Sequence, residues 1–363
     1  KRQVVHYAVG RQGRGPRIEV FAPVVSGAPR LSIAVDVSGE TLADLLEELG
    51  VGFIHVHHRF GLEALVDLLP TRFSGRYGIT VHDYAFVSPE PHLAGPDGKF
   101  VGVPGHLNWE ALSVAGEVHC GRGARALTSP TDFSAVLEHA RFVLAPSDDC
   151  ALRIRSLVPD VDFAVRPHWE PGPLPTGPEA DGEALADPRA VVVAVPGEFI
   201  PTKGSRVVKA VADFASRMDL AIRFVAMGDA PDADSAQLPP NLSLAGGYSV
   251  GEFDDAVLRA NASVIWLPSQ VPETYSYAAS EAMRTGLPIV ASDLGALPER
   301  LARYPVAELV RWDGEPREWL EALLRAGSSP NAFQCALDSP ERRDGFYPDG
   351  YMDAIRDAVA AAG

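Results

Sequence analysis

The fold of this chain is decided by the stretch Trp266-Leu-Pro-Ser-Gln-Val-Pro-Glu-Thr-Tyr-Ser-Tyr-Ala-Ala-Ser-Glu-Ala-Met-Arg-Thr-Gly-Leu-Pro-Ile-Val-Ala-Ser-Asp293. Its apolar pattern predicts a buried strand from Ser263 to Leu267, a polar loop, and a helix that begins near Ser276 and ends at Gly286. A second buried strand follows over residues 287–291. Strand, helix and strand in this order predict one unit of a parallel α/β sheet.

Two glutamates of this stretch are candidate binding residues. Glu273 lies in the loop before the helix, and Glu281 lies inside the helix, eight positions later. The helix N-terminus also offers backbone N–H groups and a partial positive charge to an anion. The unit thus combines acceptors for sugar hydroxyls with donors for a phosphate, as a nucleotide sugar requires. Taken alone, both acids also fit a solvated loop and a helix surface.

Composition narrows the class of protein. The chain has 363 residues, 46% of them hydrophobic, which is enough for two globular domains. A net charge of -16 argues against a nucleic-acid partner, because binding to phosphate backbones needs a surplus of Lys and Arg. The sequence contains neither a long apolar run nor a signal-peptide pattern, so we expect a cytoplasmic protein. The three cysteines, Cys120, Cys150 and Cys335, have neither disulfide nor zinc spacing.

Alternating strand and helix patterns predict two α/β domains. We expect an N-terminal domain over residues 1–168, a proline-rich linker over 169–189 and a second domain over 190–338. Residues 339–363 are expected to form a helix that returns to the first domain. In both domains the pattern predicts a doubly wound parallel sheet, and the two sheets are expected to face each other across a cleft. Ligands of such sheets bind at the carboxyl ends of the strands.

The opening residues depart from this pattern. Strands are predicted over Val4–Val9 and Ile18–Val24, joined by a turn that contains Gly10, Gly13 and Gly15. No helix follows these glycines, so they indicate a hairpin turn rather than a phosphate loop. A doubly wound domain normally begins with a strand, a glycine-rich turn and a helix. Because the chain also begins at Lys1, we expect the first β–α unit to be missing and the chain to be part of a longer protein.

Three short motifs between Trp266 and Asp293 resemble the retaining glycosyltransferases of family 4. They are Pro272-Glu-Thr-Tyr-Ser276, Glu281-Ala-Met283 and Gly286-Leu-Pro-Ile-Val-Ala-Ser292. The resemblance implies the GT-B fold, with two Rossmann-like domains across a cleft. It also implies transfer of a sugar from a nucleoside diphosphate sugar to an acceptor hydroxyl with retention of configuration. Its closest likeness is to enzymes of bacterial surface polysaccharide synthesis.

The resemblance assigns roles to individual residues. The turn Pro201-Thr-Lys-Gly204 follows a predicted strand, and Lys203 corresponds to the lysine that neutralises the diphosphate. Glu273, His82 and Lys203 are expected to be catalytic. The expected nucleotide-sugar contacts are Glu281, Lys203, Gly204, Tyr275, Ser276, Tyr277 and Gly228. The resemblance implies no metal and no cofactor. It implies a glycan, a lipid-linked group or a protein as acceptor, and it allows peripheral membrane association.

One position departs from the family. Glu198 stands where many members have an arginine that binds the diphosphate, and a carboxylate cannot replace it. Arg206, just inside the following helix, could compensate. The departure keeps open a protein with weakened catalysis that binds sugar nucleotides or acts as a scaffold. A GT-B epimerase or phosphorylase is a second alternative.

Histidines of the first domain complete the set of candidates. His82 ends a predicted strand in Val81-His-Asp83, and the resemblance places its side chain towards the donor from across the cleft. Strand alternation predicts His55 and His57 on one face and His58 on the other. We expect these three to line the cleft rather than to bind a metal. His168 is expected to be structural, beside the linker.

Overall fold

The computed structural model describes residues 4–8, 17–21, 31–34, 39–59, 62–103, 106–107, 112, 114, 131–168, 190–231, 238–249 and 252–328. The predicted hairpin turn, the linker at 169–189 and the returning helix at 339–363 lie outside these residues. The domain boundaries therefore stay predictions.

The chain opens with a three-stranded antiparallel sheet. Its strands are β1 (Val4–Ala8), β2 (Arg17–Phe21) and β3 (Leu31–Ala34), with Val4 opposite Phe21 and Arg17 opposite Ala34. The predicted pairing of the first two strands is confirmed. Along the chain, an antiparallel meander thus precedes the parallel strands of the N-terminal unit.

The N-terminal α/β unit is built on a four-stranded parallel sheet. Its helices are α1 (Gly39–Glu48), α2 (Glu63–Val66), α3 (Leu69–Arg72), α4 (Thr131–Glu138) and α5 (Asp148–Leu157). Its strands are β4 (Ile54–Val56), β5 (Tyr77–Thr80), the short pair β6 (Gly102–Val103) and β7 (His106–Leu107), β8 (Val143–Ala145) and β9 (Phe163–Val165). The parallel sheet has the order β4-β5-β8-β9, so its strands lie side by side in chain order.

One predicted helix of this unit is divided. The sequence pattern predicts a helix over residues 62–69, and the structure has the two short helices α2 and α3 instead. Pro70 lies in the first turn of α3 and has no N–H to donate to the carbonyl four residues earlier. A continuous helix is therefore interrupted before Pro70, which is tolerated at the start of a new helix.

The C-terminal unit is a six-stranded parallel sheet of the order β12-β11-β10-β13-β14-β15. Its strands are β10 (Val191–Pro196), β11 (Ile222–Met227), β12 (Leu242–Gly246), β13 (Val264–Leu267), β14 (Ile289–Ser292) and β15 (Ala307–Val310). Its helices are α6 (Ser205–Arg217), α7 (Phe253–Ala260), α8 (Tyr277–Arg284), α9 (Leu297–Leu301) and α10 (Pro316–Gly327). The strand order reverses at β10, as doubly wound sheets require, and the reversal places a crevice between the ends of β10 and β13.

The six-stranded sheet is covered by apolar groups on both faces. On one face Trp266 of β13 packs 5.5 Å from Trp319 of α10, between ring centroids, and both side chains are fully buried. On the other face Phe253 and Ala279 pack against Ile265. Central parallel strands are buried on both sides, which explains the nearly continuous apolar runs in the sequence.

The two α/β units contact each other at several points. Leu294 of the C-terminal unit is buried in the N-terminal core. The N–H of Phe100 donates to the carbonyl of Gln270 at 2.8 Å. The Glu299 carboxylate accepts the N–H groups of Asp148 and Asp149, so it caps the N-terminus of α5 from the other unit. The strand ends that carry the candidate residues are thus held face to face.

None of the helices in the described part of the chain is long and apolar enough to cross a membrane.

Gly228 offers a stability test of the crevice. It has a φ of +151°, and a Cβ at this position would lie 2.0 Å from the carbonyl oxygen of Gly197. Gly228→Ala should therefore lower the free energy of unfolding by about 3 kcal/mol, because the backbone must shift. Gly246→Ala is the matched control, since Gly246 has a φ of +81° but no atom within 4 Å of its Cβ position. Urea denaturation of both variants checks the prediction, and equal losses would contradict it.

Candidate functional site

The candidate site lies where the loops after β10, β11 and β13 meet. Gly228 approaches the backbone of Gly197 more closely than a side chain would allow. Gly204, with a φ of +89°, lies against the carbonyl of Pro268, where a Cβ would come within 2.2 Å of the oxygen. These close backbone contacts draw the strand-to-helix turn at 201–204 towards the loop that carries Glu273.

Lys203 and Glu273 form an ion pair at the centre of this crevice. The distance between Lys203 Nζ and Glu273 Oε1 is 2.5 Å, and Ser269 Oγ donates to the same carboxylate oxygen at 3.2 Å. Burial by itself raises the pKa of Glu273, but the Lys203 ammonium and the hydrogen bonds from Lys203 and Ser269 lower it below its usual value. The pair therefore presents an ionised carboxylate and a cation side by side.

The backbone of Glu273 is held by residues of the loop after β14. Its carbonyl accepts the N–H of Ala296 at 2.8 Å. Gly295, with a φ of +68°, lies directly against it, where a Cβ would be 2.4 Å from the Glu273 nitrogen. The loop after β14 therefore supports the loop after β13 through Gly295 and Ala296.

Helix α8 begins beside this pair, as the sequence predicts. Ser276 precedes it with φ +70° and ψ 86°, a left-handed conformation that costs roughly 1–3 kcal/mol for a residue with a side chain. The strained residue turns the chain sharply from the Glu273 loop into α8. The first helical residue, Tyr277, is 49% exposed, so its side chain is accessible to solvent at the amino end of the helix.

Glu281 lies on the side of α8 that faces β12. The Tyr248 hydroxyl donates to its carboxylate at 3.2 Å, and Arg284 lies 3.9 Å from it. Burial, followed by the nearby Glu281 carboxylate, raises the pKa of Tyr248, which keeps this hydroxyl a donor. Glu281 is therefore a hydrogen-bond acceptor that lies further along α8 than the Lys203–Glu273 pair.

A groove continues from Tyr248 along the edge of the sheet. Its volume is about 370 Å³, and it runs between α7 and strands β11 and β12. Met227 and Ala245 contribute apolar surface, and Arg223 and Arg259 line it as well. Gly228 does not line this groove, and it contacts the backbone of Gly197 in the crevice instead.

His82 reaches the site from the N-terminal unit. Thr274 Oγ1, next to Glu273, donates to the His82 carbonyl at 2.7 Å. The His57 and His82 rings share a hydrogen bond of 3.0 Å between Nδ1 and Nε2. Burial, followed by the rings of His168, His58 and His57, lowers the pKa of His82 to about 3, so the ring is neutral at pH 7.

His58 contradicts the predicted alternation. Its ring lies 4.6 Å from the His82 ring, and its Nδ1 lies 3.3 Å from Asp83 Oδ2. The alternation rule was wrong here because β4 ends at Val56, before His57 and His58. His55 and His57 do lie together as predicted, with ring centroids 4.2 Å apart, and His55 also contacts the Thr80 hydroxyl at 2.8 Å. Within the described residues no group of three or more His, Cys, Asp or Glu is arranged for a metal ion.

His168 belongs to the site, which the sequence did not indicate. Its ring stacks on His82 with a centroid distance of 4.1 Å and an interplanar angle of 15°. It also lies 5.0 Å from the Tyr275 ring and 5.8 Å from the Tyr277 ring. Only one local signal accompanied it, a polar residue at the carboxyl end of a strand, and that signal is common.

Arg300 is a second residue that sequence reasoning missed. Its guanidinium lies 3.8 Å from the centroid of the Tyr275 ring, and Nη2 donates to Ser280 Oγ of α8. The side chain is 7% exposed. A buried guanidinium on an aromatic face holds the Tyr275 loop against the helix.

Glu198, which departs from the family pattern, and Arg206, which could compensate for it, are both exposed. Glu198 follows β10. Arg206 Nη1 donates to the carbonyl of Asp97 in the other unit at 2.6 Å. Arg206 thus forms a hydrogen bond between the two units, and its compensating role stays a prediction.

Comparison with solved structures identifies the fold. Sucrose-phosphate synthase from Thermosynechococcus elongatus superposes with a TM-score of 0.57 at 18% identity, over 89% of this chain and 72% of that one. HepE from Anabaena with UDP-glucose gives 0.55 at 13% identity, over 89% and 80%. A variant of TarM from S. aureus, in complex with fondaparinux, alpha-GlcNAc-glycerol and UDP, gives 0.53 at 13% identity, over 99% and 66%. The chain therefore has the predicted α/β GT-B fold.

Sequence comparison finds a family-model match within the C-terminal unit. Residues 190–328 match the family model of the glycosyl transferases group 1. The match includes Lys203, Glu273 and Glu281 and excludes His82 and His168. No curated protein matches the chain significantly in sequence. The match supports the predicted glycosyltransferase for the C-terminal unit, while family 4 and retention of configuration stay predictions.

The buried histidines generate a pH prediction. Burial and neighbouring rings lower the pKa of His55 to about 3 and that of His168 to about 4, from 6.5. Between pH 6.5 and 5 the unfolded chain takes up protons at these imidazoles and the folded chain does not. Stability should fall as pH falls, by up to about 1.4 kcal/mol per pH unit for each histidine.

Thermal melting from pH 7.5 to 5 checks this. The melting temperature should drop by at least about 4 °C between pH 6.5 and 5, and His168→Phe should flatten the dependence. His139→Gln, at an exposed position, should leave it unchanged. A melting temperature independent of pH in this range would contradict the prediction.

Proposed function

We propose that this protein is a retaining glycosyltransferase that moves a sugar from a nucleoside diphosphate sugar to an acceptor hydroxyl. The observation that carries the proposal is the Lys203–Glu273 pair beside the amino end of α8, with Glu281 further along the same helix. A cation, a helix N-terminus and two separated carboxylates match the parts of a nucleotide sugar in order.

Each part of the donor has a proposed partner. Lys203, the backbone at Gly204 and the helix start at Ser276 and Tyr277 bind the diphosphate. Glu273 accepts hydrogen bonds from the donor sugar. The ribose hydroxyls donate to Glu281, and the base occupies the end of the groove that Tyr248 lines. Tyr275 is buried at the boundary of the two units, where its hydroxyl donates to the His168 carbonyl.

His82 faces this donor from the N-terminal unit. As a neutral imidazole it can donate or accept a hydrogen bond at the sugar, and it adds no positive charge that would compete with Lys203 for the diphosphate. The Thr274 bond to its carbonyl sets its distance from the Glu273 loop. Domain contact at this point excludes water and so limits hydrolysis of the donor.

The reaction needs no enzyme nucleophile in this proposal. The bond between the anomeric carbon and the diphosphate oxygen breaks, and the acceptor oxygen bonds to the same face of that carbon. The acceptor proton passes to the departing diphosphate. Lys203 and the α8 N-terminus stabilise the negative charge that develops there, so the protein contributes positioning and electrostatics. We propose that no metal or cofactor takes part.

The proposed donor and acceptor classes rest on the ligands of two structurally similar proteins. HepE is described with UDP-glucose and TarM with UDP and glycan ligands, which favours a UDP-linked donor and a glycan or lipid-linked acceptor. We propose a role in surface polysaccharide or glycoconjugate synthesis at the cytoplasmic side of the membrane. The protein would reach a lipid-linked acceptor by peripheral association.

A second candidate is a sugar-nucleotide binding protein with weakened catalysis. The exposed Glu198 favours it, because a carboxylate near the diphosphate repels the leaving group. Binding without transfer to any acceptor would support this candidate. Transfer would exclude it.

A thermal-shift panel of UDP-, GDP-, ADP- and TDP-sugars, followed by transfer assays with the best donor, tests the proposal. Binding at micromolar Kd should raise the melting temperature by several degrees at millimolar donor. No shift with any sugar nucleotide would contradict the proposal.

Two substitutions test the residue roles. Lys203→Ala should lower kcat by about 100-fold, because it removes a cation from the leaving group. Glu281→Ala should weaken donor binding by about 10-fold through lost ribose contacts. Arg217→Ala and Glu321→Ala change charges on distant exposed helix faces and serve as controls. Wild-type rate and affinity in both site variants would show that the roles are wrong.

A further inference from the structure

One residue joins the two halves of the site but has no role in the proposed reaction. His168 lies three residues after the end of β9 and is the last described residue before the linker region. Its side chain is buried, with 4% of the residue exposed. Fully buried imidazoles are uncommon, and this one lies between side chains of both α/β units.

The His168 ring is held between aromatic groups of both units. On one side it is parallel to His82, at 4.1 Å and 15°. On the Tyr277 side the rings are also nearly parallel, at 5.8 Å and 13°. Tyr275 meets it at 62°. A flat ring is needed to satisfy two parallel neighbours at once.

The His168 backbone is tied to the same loop. Its carbonyl accepts the Tyr275 hydroxyl at 3.1 Å, and this hydrogen bond is buried. Thr274, one residue earlier, donates to the carbonyl of His82 at 2.7 Å. The Glu273–Tyr277 loop is therefore fixed to two histidines of the N-terminal unit, at neighbouring points on its backbone and side chains.

The position of His82 depends on this packing. Its contact with His57 is a hydrogen bond between two ring nitrogens, 3.0 Å apart, so one ring donates and the other accepts. Such a bond fixes one tautomer of His82 only while the ring plane is held. The stacked His168 ring supplies that constraint on one face of the His82 ring.

We propose that His168 is a positioning residue, whose flat ring holds His82 and the Glu273–Tyr277 loop in one arrangement across the boundary of the two units. It acts through His82 and the loop and does not itself contact the reacting atoms. The inference rests on the proposed function for its kinetic consequence, but its structural content does not depend on it.

His168→Leu and His168→Phe separate a flat ring from an apolar side chain of similar volume. His168→Leu should lower kcat by at least about 10-fold with less than about a threefold change in donor KM, because bound donor no longer meets a correctly oriented His82. His168→Phe should restore at least a third of the wild-type kcat. A purely structural role would lower the amount of folded protein in both variants without this kinetic pattern.

Nitrogen NMR of ¹⁵N-histidine-labelled protein provides a measurement independent of activity. The His82 ring nitrogens, assigned with His82→Asn, should show a single tautomer in the wild type and in His168→Phe. Averaged shifts of two tautomers are expected in His168→Leu. His139→Leu, at an exposed position, should leave the His82 signals unchanged.

Tyr275→Phe keeps the experiment decisive if His168→Leu does not fold. It removes only the hydroxyl that bonds the His168 carbonyl, and it should lower kcat about threefold or more and broaden the His82 signals. If the wild type transfers no sugar, the proposed function fails while the NMR comparison still decides the positioning role. Unchanged His82 nitrogen shifts in both His168→Leu and Tyr275→Phe, or in Tyr275→Phe alone where the first does not fold, would overturn the inference.

Discussion

The ion pair between Lys203 and Glu273 is the contact around which the C-terminal unit is organised. The lysine ends the turn after β10, and the glutamate lies in the loop after β13, on the two strands that flank the crevice of the sheet. The Lys203 side chain is 38% exposed and that of Glu273 is 15% exposed, so water screens the pair and it contributes little to net stability. Its presence is therefore better explained by ligand binding than by stability.

Several structural features are consequences of placing these two charges together. Gly204, Gly228 and Gly295 allow three loops to approach at distances that exclude side chains. Ser276 accepts a strained backbone so that α8 can begin beside the pair. The stacked rings of His82 and His168 in the N-terminal unit lie against the loop that follows Glu273. The result is a crevice with a fixed cation, a fixed carboxylate and neutral imidazoles, which suits a charged leaving group that must be stabilised without strong competition.

The sequence predicted the parts of this arrangement that are encoded locally. Apolar runs, the Gly286-Leu-Pro turn and the acids at 273 and 281 sufficed for β13, α8 and β14, because each depends on neighbouring residues. The contact between Lys203 and Glu273 spans 70 residues, and that between His168 and Tyr275 spans 107. No short-range pattern reports such pairs. His58 was misplaced for a related reason, since alternation applies only inside a strand and β4 has three residues.

A double-mutant cycle in donor binding tests the central claim most directly. Calorimetry would measure the Kd of the best sugar nucleotide for the wild type, Lys203→Ala, Glu273→Gln and the double variant. If the pair forms one binding centre, each single variant should lose at least about 1 kcal/mol of donor binding free energy. The sum of these two losses should differ from the loss in the double variant by about 1 kcal/mol or more. Donor binding that is unaffected by either substitution, or losses that add within about 0.3 kcal/mol, would contradict the account.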